Sequence, residues 1–166
     1  AKNKYAAQQL ERQRANHTLS RVYLALAEGH WTNQSKSGLI DRPIEKVPEC
    51  FNRYQVADTG RPSRTEYEVL SEFTYEETPF SLVRLKLQTG RTHQIRVHMA
   101  SLSHPLLGDS IYGHEGFLGF DRAALHSFEI TCQLPGHQDL AVFSSEMPED
   151  FLKVIAKSIN FSSTLI

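Results

Sequence analysis

A junction between a strand and a helix, in the middle of the chain, carries the residue types of an anion-binding site. The stretch LQTGRTHQIRVHMASLSHPLLGDSIYG, residues 87–113, holds two arginines and three histidines and no acid before Asp109. Gly90 permits a tight turn, Arg91 adds a charge, and Thr92 adds a hydroxyl ahead of the free amides of a helix start. The pattern predicts an anion site, although a satisfied helix cap with solvated arginines fits the same spacing.

The composition restricts any polyanion site to a local patch. The 166 residues carry a formal charge of −1 and a pI of about 6.8, which argues against a polybasic nucleic-acid binder. Cys50 and Cys132 lie far apart in no metal-ligand spacing, so we expect reduced thiols in a cytoplasmic protein. No apolar run approaches the roughly 18 residues of a membrane span, and the N-terminal AKNKYAAQQL lacks the apolar core of a signal peptide.

Hydrophobic periodicity predicts several strands and few helices in one compact domain. The predicted helices cover residues 3–16, residues 93–103 and the segment that starts at Pro148. The predicted strands are RVYLALAEGHW, RTEYEVLSEF, SLVRLKLQ, ALHSFEITCQL and LAVFSSEMP, with an exposed loop over residues 32–48 and a turn at ADTGRPSR. Hairpin-length connections between such strands predict an α+β domain built on a mostly antiparallel sheet that is flanked by a few helices.

The apolar positions also predict which faces are buried. In SLVRLKLQ the residues Val83, Leu85 and Leu87 point to one side of the sheet, and the polar residues between them point to the other. In the first helix the expected inner face is Tyr5, Ala6, Gln9, Leu10 and Gln13. In the last helix the expected apolar stripe is Phe151, Leu152, Ile155 and Ile159, with Glu149 and Asp150 placed favourably in the first turn.

The central stretch closely resembles the last conserved motif of the RluA-type RNA pseudouridine synthases. Shorter segments match the family in the order expected: AKN at the start, RVYLAL at 21–26, GLIDRPI at 38–44, ALHSFEI at 124–130 and EMPEDF at 146–151. The long motif is highly specific, and the flanking ones are individually weak. The resemblance covers nearly the whole chain and implies that residues 1–166 are the C-terminal portion of a catalytic domain, with a pseudouridine-synthase-like fold that is incomplete at its N-terminus.

The resemblance implies an enzyme that isomerises uridine to pseudouridine in ribosomal or transfer RNA, without a cofactor or metal. The family uses an aspartate in a His-Arg-Leu-Asp motif, and its target base must leave the helical stack. Tyr23 matches the tyrosine that packs on that base, and Arg96 matches the arginine that pairs with the catalytic aspartate. A bidentate arginine would orient the carboxylate and keep it ionised. Each residue also has a purely structural interpretation: Tyr23 as a core residue of a strand, and Arg96 as a surface residue of a helix.

The remaining residues of the motif are expected to support this site. Arg91, His93 and Lys86 are candidates for RNA contacts. Leu125 resembles an apolar residue near the family's pocket, although core packing explains it equally well. Asp109 is interpreted as a structural turn aspartate. Tyr112 is expected in the core, and His104, His114 and His137 on the surface or in loops.

The sequence departs from the family in one respect, because it contains no His-Arg-Leu-Asp. We expect a fragment of a synthase that is inactive alone. The alternatives are a truncated product that binds RNA without catalysis, or an active site whose other half lies on a second chain. A non-catalytic RNA-binding module is the second hypothesis, with a cationic stripe of Lys86, Arg91 and Arg96 as its footprint. If strands of the sheet are missing, we expect an exposed sheet edge through which the chain self-associates. A small-anion enzyme is the third, and the absence of a nucleophile–base pair near Gly90 argues against it.

Overall fold

The computed structural model describes residues 3–16 and 18–163 and confirms the α+β class within them. The helices are α1 (Lys4–Ala15), α2 (Gln94–Ser101) and α3 (Glu149–Ser163), and a 3-10 turn covers Phe117–Gly119. The strands are β1 (Ser20–Glu28), β2 (Ser37–Asp41), β3 (Ile44–Lys46), β4 (Tyr54–Val56), β5 (Arg64–Tyr75), β6 (Thr78–Leu87), β7 (Leu125–Gln133) and β8 (Leu140–Ser144). None of the helices in these ranges is long and apolar enough to cross a bilayer.

Six of the strands form one antiparallel sheet in the order β2-β5-β6-β1-β7-β8, and β3 pairs with β4 in a small separate sheet. The predicted antiparallel arrangement is therefore confirmed, but the exposed loop predicted over residues 32–48 is wrong. That segment contains β2 and β3. Each of these strands buries only one apolar residue, Ile40 in β2 and Ile44 in β3. The other residues of both strands are mostly polar, as in a loop. Pairing with neighbouring strands, rather than an apolar pattern, makes them extended.

The sheet buries both faces, and alternation along β1 separates them. Leu24 and Leu26 belong to one cluster, which also contains Phe151 of α3. Ala25 and Ala27 belong to the other, which α2 joins. Because successive strand residues point to opposite sides, α2 and α3 lie on opposite faces of the sheet. The face covered by α2 is the one that matters for the candidate site.

The outer helices follow their predicted patterns in part. In α1 the residues Ala6, Gln9, Leu10 and Gln13 form the half-buried face as predicted, but Tyr5 is 59% exposed. In α3 Phe151 is buried and Ile155 half-buried as predicted, whereas Leu152 and Ile159 are 51% and 55% exposed, and Val154 and Ser158 are buried instead. The inner face of α3 is therefore rotated relative to the predicted stripe. The side chains that face the sheet are buried even where one of them, Ser158, is polar.

A buried polar network holds α2 in place, although the helix is only eight residues long. The side-chain amide of Gln94 accepts from the Thr89 hydroxyl and the Arg91 amide, and donates to the Arg64 carbonyl and the Thr65 hydroxyl. All four hydrogen-bonding positions of the Gln94 amide are thus satisfied. The network fixes the start of α2 against the end of β6 and the start of β5.

His98 fixes the next turn of α2. Its Nε2 lies 2.9 Å from the Arg42 carbonyl and its Nδ1 lies 2.8 Å from the Thr65 hydroxyl. A carbonyl only accepts, so Nε2 carries the proton and Nδ1 accepts from the hydroxyl. Burial, the largest influence, lowers the pKa of His98, although the bond to the Arg42 carbonyl opposes it. The neutral imidazole therefore joins α2 to β5 and to the segment between β2 and β3.

His104 lies in the loop that follows α2, as one half of the prediction had it, but its side chain is buried in the core rather than exposed at the surface. It is 4% exposed, stacks on the Trp31 ring with a centroid distance of 4.1 Å, and has its Nδ1 2.8 Å from the Glu28 carbonyl. His114 is exposed, as predicted, and its ring meets the Glu28 carboxylate at 2.8 Å. Pro105 indicates a loop at His104, but the sequence does not show that an aromatic ring will cover the histidine.

Candidate functional site

The candidate site is built around a guanidinium that is held from two sides. Arg96 lies in the first turn of α2, and its Nε and Nη2 donate to the two carboxylate oxygens of Asp109 at 2.7 and 2.6 Å. The Asp109 side chain is fully buried and that of Arg96 is 18% exposed. This is a bidentate, charge-assisted pair, the strongest kind of side-chain ion pair in water-excluded surroundings. Arg96 is therefore not the solvated surface residue that remained an alternative on sequence grounds.

Asp109 has two roles: it stabilises a turn, as predicted from the sequence, and it pairs with Arg96, which was not predicted. Its Oδ1 accepts from the amides of Ile111 and Tyr112, so the interpretation as a turn aspartate is confirmed. The preceding Gly108 has a φ of +67°, and a Cβ there would lie 2.5 Å from the Arg122 carbonyl oxygen. Gly108 is thus required for this turn. The pairing with Arg96 was missed because it joins residues 13 positions apart across a loop.

His93 holds the other side of Arg96. Its Nε2 lies 3.1 Å from Nη1 of Arg96, and its Nδ1 lies 3.0 Å from the Tyr112 hydroxyl. A guanidinium only donates, so Nε2 is the unprotonated nitrogen and the neutral ring carries its proton on Nδ1. The Tyr112 hydroxyl then accepts from His93 and from the Tyr54 amide, which donates at 2.9 Å. Tyr112 also lies beneath the Arg96 guanidinium, 5.1 Å from ring centroid to Cζ.

The electrostatics keep these groups in fixed charge states. Burial would raise the pKa of Asp109, but the Arg96 guanidinium and two backbone amides outweigh it and hold the pKa below its usual value. The Asp109 carboxylate in turn raises the pKa of Arg96. Burial, reinforced by the Arg96 charge, lowers the pKa of His93, which stays neutral. The result is an ion pair flanked by a neutral acceptor, with no ambiguity about which nitrogen of His93 is protonated.

Arg96 retains donors for a further ligand. A guanidinium has five N–H groups, and Asp109 and His93 take three of them. One N–H remains on each terminal nitrogen without a hydrogen-bonding partner among the described residues. A second anion or carboxylate can therefore bind Arg96 without displacing Asp109. This is the chemical capacity of the site: it presents a positive charge in a preset orientation to one more acceptor.

Tyr23 lies on the same side of the sheet as α2. It alternates with Val22 and Leu24 on β1, and it packs on the cluster that contains Ile95 and Met99 of α2. Its side chain is half-buried. Tyr23 and Arg96 are therefore on the same face of the sheet. A common cavity for the two side chains remains a prediction.

A bulge in β7 adjoins Tyr23. Val22 lies opposite Glu129 and Tyr23 opposite Ser127, so Phe128 is an extra residue in β7. Bulges bend a strand and redirect its side chains, and they are frequent beside active sites. Leu125, further along β7, lies opposite Ala25 and packs on the same cluster as Tyr23. This position is consistent with both interpretations of Leu125, as core and as pocket neighbour.

The predicted anion site at the start of α2 is filled by the protein itself in two places. The Arg91 amide donates to the Gln94 side-chain oxygen, and the Gln94 backbone amide donates to the Arg91 carbonyl. The cap residue His93 adopts a left-handed conformation with a φ of 55° and makes no side-chain cap bond. For these two amides the alternative of a satisfied cap is the correct one. The exposed Arg91 side chain, by contrast, faces outward, and its Nε donates to the Pro62 carbonyl at 3.3 Å.

Lys86 is not brought together with Arg96. On β6 it alternates with Leu85 and Leu87, which point toward the α2 side, so Lys86 points toward the opposite face. There it lines a groove with Arg84, Glu66 and Glu68, in which the charges balance. The cationic stripe expected from Lys86, Arg91 and Arg96 is therefore divided between two faces of the sheet.

A cationic cleft lies beside the Arg96 network and was not anticipated from the sequence. It has a volume of about 600 Å³. Its basic side chains are contributed by α1, the β3–β4 sheet and the turns that precede β5 and α2: Arg14, Lys46, Arg61 and Arg91. Tyr54 also lines it, and the same ring meets His93 edge-on at 5.6 Å. The four cations are dispersed over residues 14–91, and the sheet that carries Lys46 was predicted to be a loop.

Comparison with protein families places these features in context. A family model described as RNA pseudouridylate synthase matches residues 1–101. Among solved structures, human RNA Pseudouridylate Synthase Domain Containing 1 superposes with a TM-score of 0.74 at 30% identity, over 88% of this chain and 62% of that one. Human RNA Pseudouridylate Synthase Domain Containing 4 superposes with a TM-score of 0.69 over 93% of this chain and 68% of that one, and at 19% identity it supports the fold alone.

Curated relatives agree with this match. The chain is 40% identical over 150 residues to the Uncharacterized RNA pseudouridine synthase YhcT of Bacillus subtilis, covering 90% of this chain and 48% of that one. It is 35% identical over 150 residues to the Ribosomal large subunit pseudouridine synthase D of Escherichia coli K12, covering 82% of this chain and 44% of that one. The chain thus spans about half the length of the curated relatives it matches.

Proposed function

Because the chain belongs to the RNA pseudouridylate synthase family, we propose that it carries the arginine-bearing part of a site that isomerises uridine to pseudouridine in RNA. The observation that supports this most is the doubly held Arg96 with two N–H donors to spare. In this proposal residues 1–166 are the C-terminal portion of the catalytic domain. The non-catalytic RNA-binding module is not favoured, because the relatives are named as synthases.

The proposed reaction would use the two free N–H groups of Arg96. Isomerisation breaks the N1–C1′ bond of uridine and forms a C5–C1′ bond, while the base loses a proton from C5 and gains one on N1. The family carries this out with an aspartate, which must be ionised and oriented. In our proposal that carboxylate binds the two remaining N–H groups of Arg96, and the positive charge keeps it ionised. Asp109 does not take this role, because Arg96 and two backbone amides already occupy it.

Two further residues receive roles on the same face of the sheet. We assign Tyr23 to pack against the extruded base, since it is half-buried and lies on the same face of the sheet as α2. We assign His93 to hold Arg96 in place rather than to meet RNA, since both ring nitrogens are engaged within the site. Arg91 is exposed beside the site and remains a proposed RNA contact. Lys86 remains a proposed RNA contact, on the face of the sheet opposite α2.

The proposed partner is RNA, and ribosomal RNA is the first candidate because relatives are named for the large ribosomal subunit. A cytoplasmic location fits Cys50 and Cys132, which are both free. We also propose self-association through β8, the edge strand of the sheet. Leu140, Val142 and Phe143 of this strand are 65%, 61% and 53% exposed, and an open apolar edge is a ready template for pairing with another strand.

Tritium release tests the proposed activity, because isomerisation frees the hydrogen on C5. Ribosomal RNA transcribed with 5-tritiated uridine is incubated with the 166-residue chain and with a chimera that adds a His-Arg-Leu-Asp-bearing segment from a family member ahead of residue 1. We expect release from the chimera and none from the chain alone, since residues 1–166 contain no His-Arg-Leu-Asp. Release by the chain alone would refute the assignment of the carboxylate, and a folded but inactive chimera would contradict the assignment of the site.

A further inference from the structure

The cationic cleft defined above concentrates charge in a protein that is close to neutral. Arg14, Lys46, Arg61 and Arg91 line it against one carboxylate, that of Glu45, whereas the whole chain has a formal charge of −1. Hydrogen bonds from Thr59 and Gln55 lower the pKa of Glu45 and keep its oxygens occupied. Glu45 therefore stays ionised, and the four cations still outnumber this one carboxylate, so the cleft has a net positive charge at neutral pH.

The cations that line the cleft remain available to a ligand. Lys46 and Arg61 make no ion pair with any residue that the structure describes, and both side chains are exposed. Arg14 pairs with Glu11 across an exposed helix surface, a contact worth at most about 1 kcal/mol. The bond from Arg91 Nε to the Pro62 carbonyl fixes that guanidinium at the rim of the cleft. Binding of an anion here would displace no buried interaction.

The cleft adjoins the Arg96 network, and Tyr54 contacts both. The Tyr54 side chain lines the cleft and contacts the His93 ring, while the Tyr54 amide donates to the Tyr112 hydroxyl. An anion that lies in the cleft is therefore close to the His93 side of the Arg96 network. The half-buried Tyr54 ring also adds an aromatic surface to the cationic walls, and cations interleaved with aromatic rings are typical of sites for unpaired nucleic-acid strands.

We propose that this cleft binds the phosphodiester backbone of a single-stranded RNA segment adjacent to the target uridine, with Arg14, Lys46, Arg61 and Arg91 as the phosphate contacts. The inference rests on the proposed function for the identity of the polyanion. It adds the path of the strand and commits it to unpaired RNA. An unpaired segment fits because a uridine that must be extruded is most accessible in a loop or single strand, whose bases can stack on exposed aromatic rings.

Fluorescence anisotropy with the 166-residue chain tests the proposal. The probe is a labelled single-stranded oligoribonucleotide of about ten residues, titrated between roughly 50 and 200 mM salt, a range in which phosphate contacts dominate the affinity. The variants are Arg61→Gln, Lys46→Gln and the double variant Arg61→Gln/Arg91→Gln. The matched control is Lys153→Gln, which removes an exposed cation of α3 on the other side of the sheet. Circular dichroism confirms that each variant is folded.

Each single substitution should reduce the slope of log K against log salt by about 0.7, the double variant by about twice that, and Lys153→Gln by nothing. Three results would each overturn the proposal that the cleft binds single-stranded RNA. The variants could show the same salt slope as the unsubstituted chain, a matched RNA duplex could bind more tightly, or the unsubstituted chain could fail to bind at the lowest salt. Failure of the proposed function shows differently: the chimera would release no tritium while the cleft substitutions still changed the salt slope.

Discussion

Replacement of Asp109 by asparagine tests whether the Arg96 ion pair holds the site together. The substitution removes a charge that is fully buried and leaves a guanidinium that is 18% exposed without its counter-charge. The asparagine oxygen can still accept from the amides of Ile111 and Tyr112. The side-chain NH₂ group, however, would take the place of Oδ2 and face the Nε–H of Arg96, so two donors would oppose each other.

The cost follows from the burial of the pair. Removal of one partner of a buried ion pair typically costs about 3–5 kcal/mol. Arg96 keeps partial access to water, so we expect the lower end, about 3 kcal/mol. For a domain of this size that corresponds to a fall in Tm of about 6–12 °C. The matched control is Asp41→Asn, which breaks a 2.9 Å ion pair with Arg64 whose partners are 48% and 53% exposed. That control should cost less than about 1 kcal/mol.

Urea denaturation at pH 7, followed by circular dichroism, measures both free energies of unfolding. The double variant Arg96→Met/Asp109→Asn separates loss of the pair from an unpaired charge, because it removes the guanidinium while the asparagine oxygen still accepts from the Ile111 and Tyr112 amides. If Asp109→Asn cost no more than Asp41→Asn, the argument that a buried pair presets Arg96 would be refuted.

The remaining predictions concern pH, the turn and the sheet edge. Because the folded pKa values of His93 and His98 are lowered, the unfolded chain takes up protons near pH 6.5 that the folded chain does not. The free energy of unfolding should therefore fall as the pH drops from about 7 to 5.5, and His98→Gln should flatten this dependence. Gly108→Ala should cost more than Gly116→Ala in urea denaturation, since both have positive φ but only Gly108 faces a close backbone carbonyl; equal costs would contradict the steric argument. Val142→Lys should shift any dimer toward monomer in size-exclusion chromatography with light scattering, because it places like charges at the β8 edge; an unchanged dimer would exclude that edge.

The sequence predicted the elements whose apolar pattern is strong. β1, β6 and α2 were found close to their predicted positions, because each contributes several buried residues at a regular period. β2 and β3 were missed, since each buries one residue and extends only through pairing. The cleft was missed with them, because one of its walls is the β3–β4 sheet.

Within the candidate site the sequence indicated residues but not partners. The family motif indicated Arg96, and the structure shows the residue held in a preset orientation. It did not indicate that Asp109 is the partner within the chain, nor that Gln94 satisfies the start of α2. Both contacts depend on where loops bring side chains together. The motif supplies one usable signal, the Gly-Asp pair at 108–109, in which a glycine that permits a positive φ precedes a short acceptor.

The most direct test of the central claim is tritium release by the active chimera with Arg96 and with Arg96→Lys. Lysine preserves the charge opposite Asp109 but removes the fixed fork that offers N–H groups to a second carboxylate. We predict that Arg96→Lys reduces the rate by about 10²-fold or more, the scale expected when a preorganised donor or its positioning is lost, with the urea midpoint changed far less than by Asp109→Asn. A rate within a few-fold of the unsubstituted chimera would contradict the account.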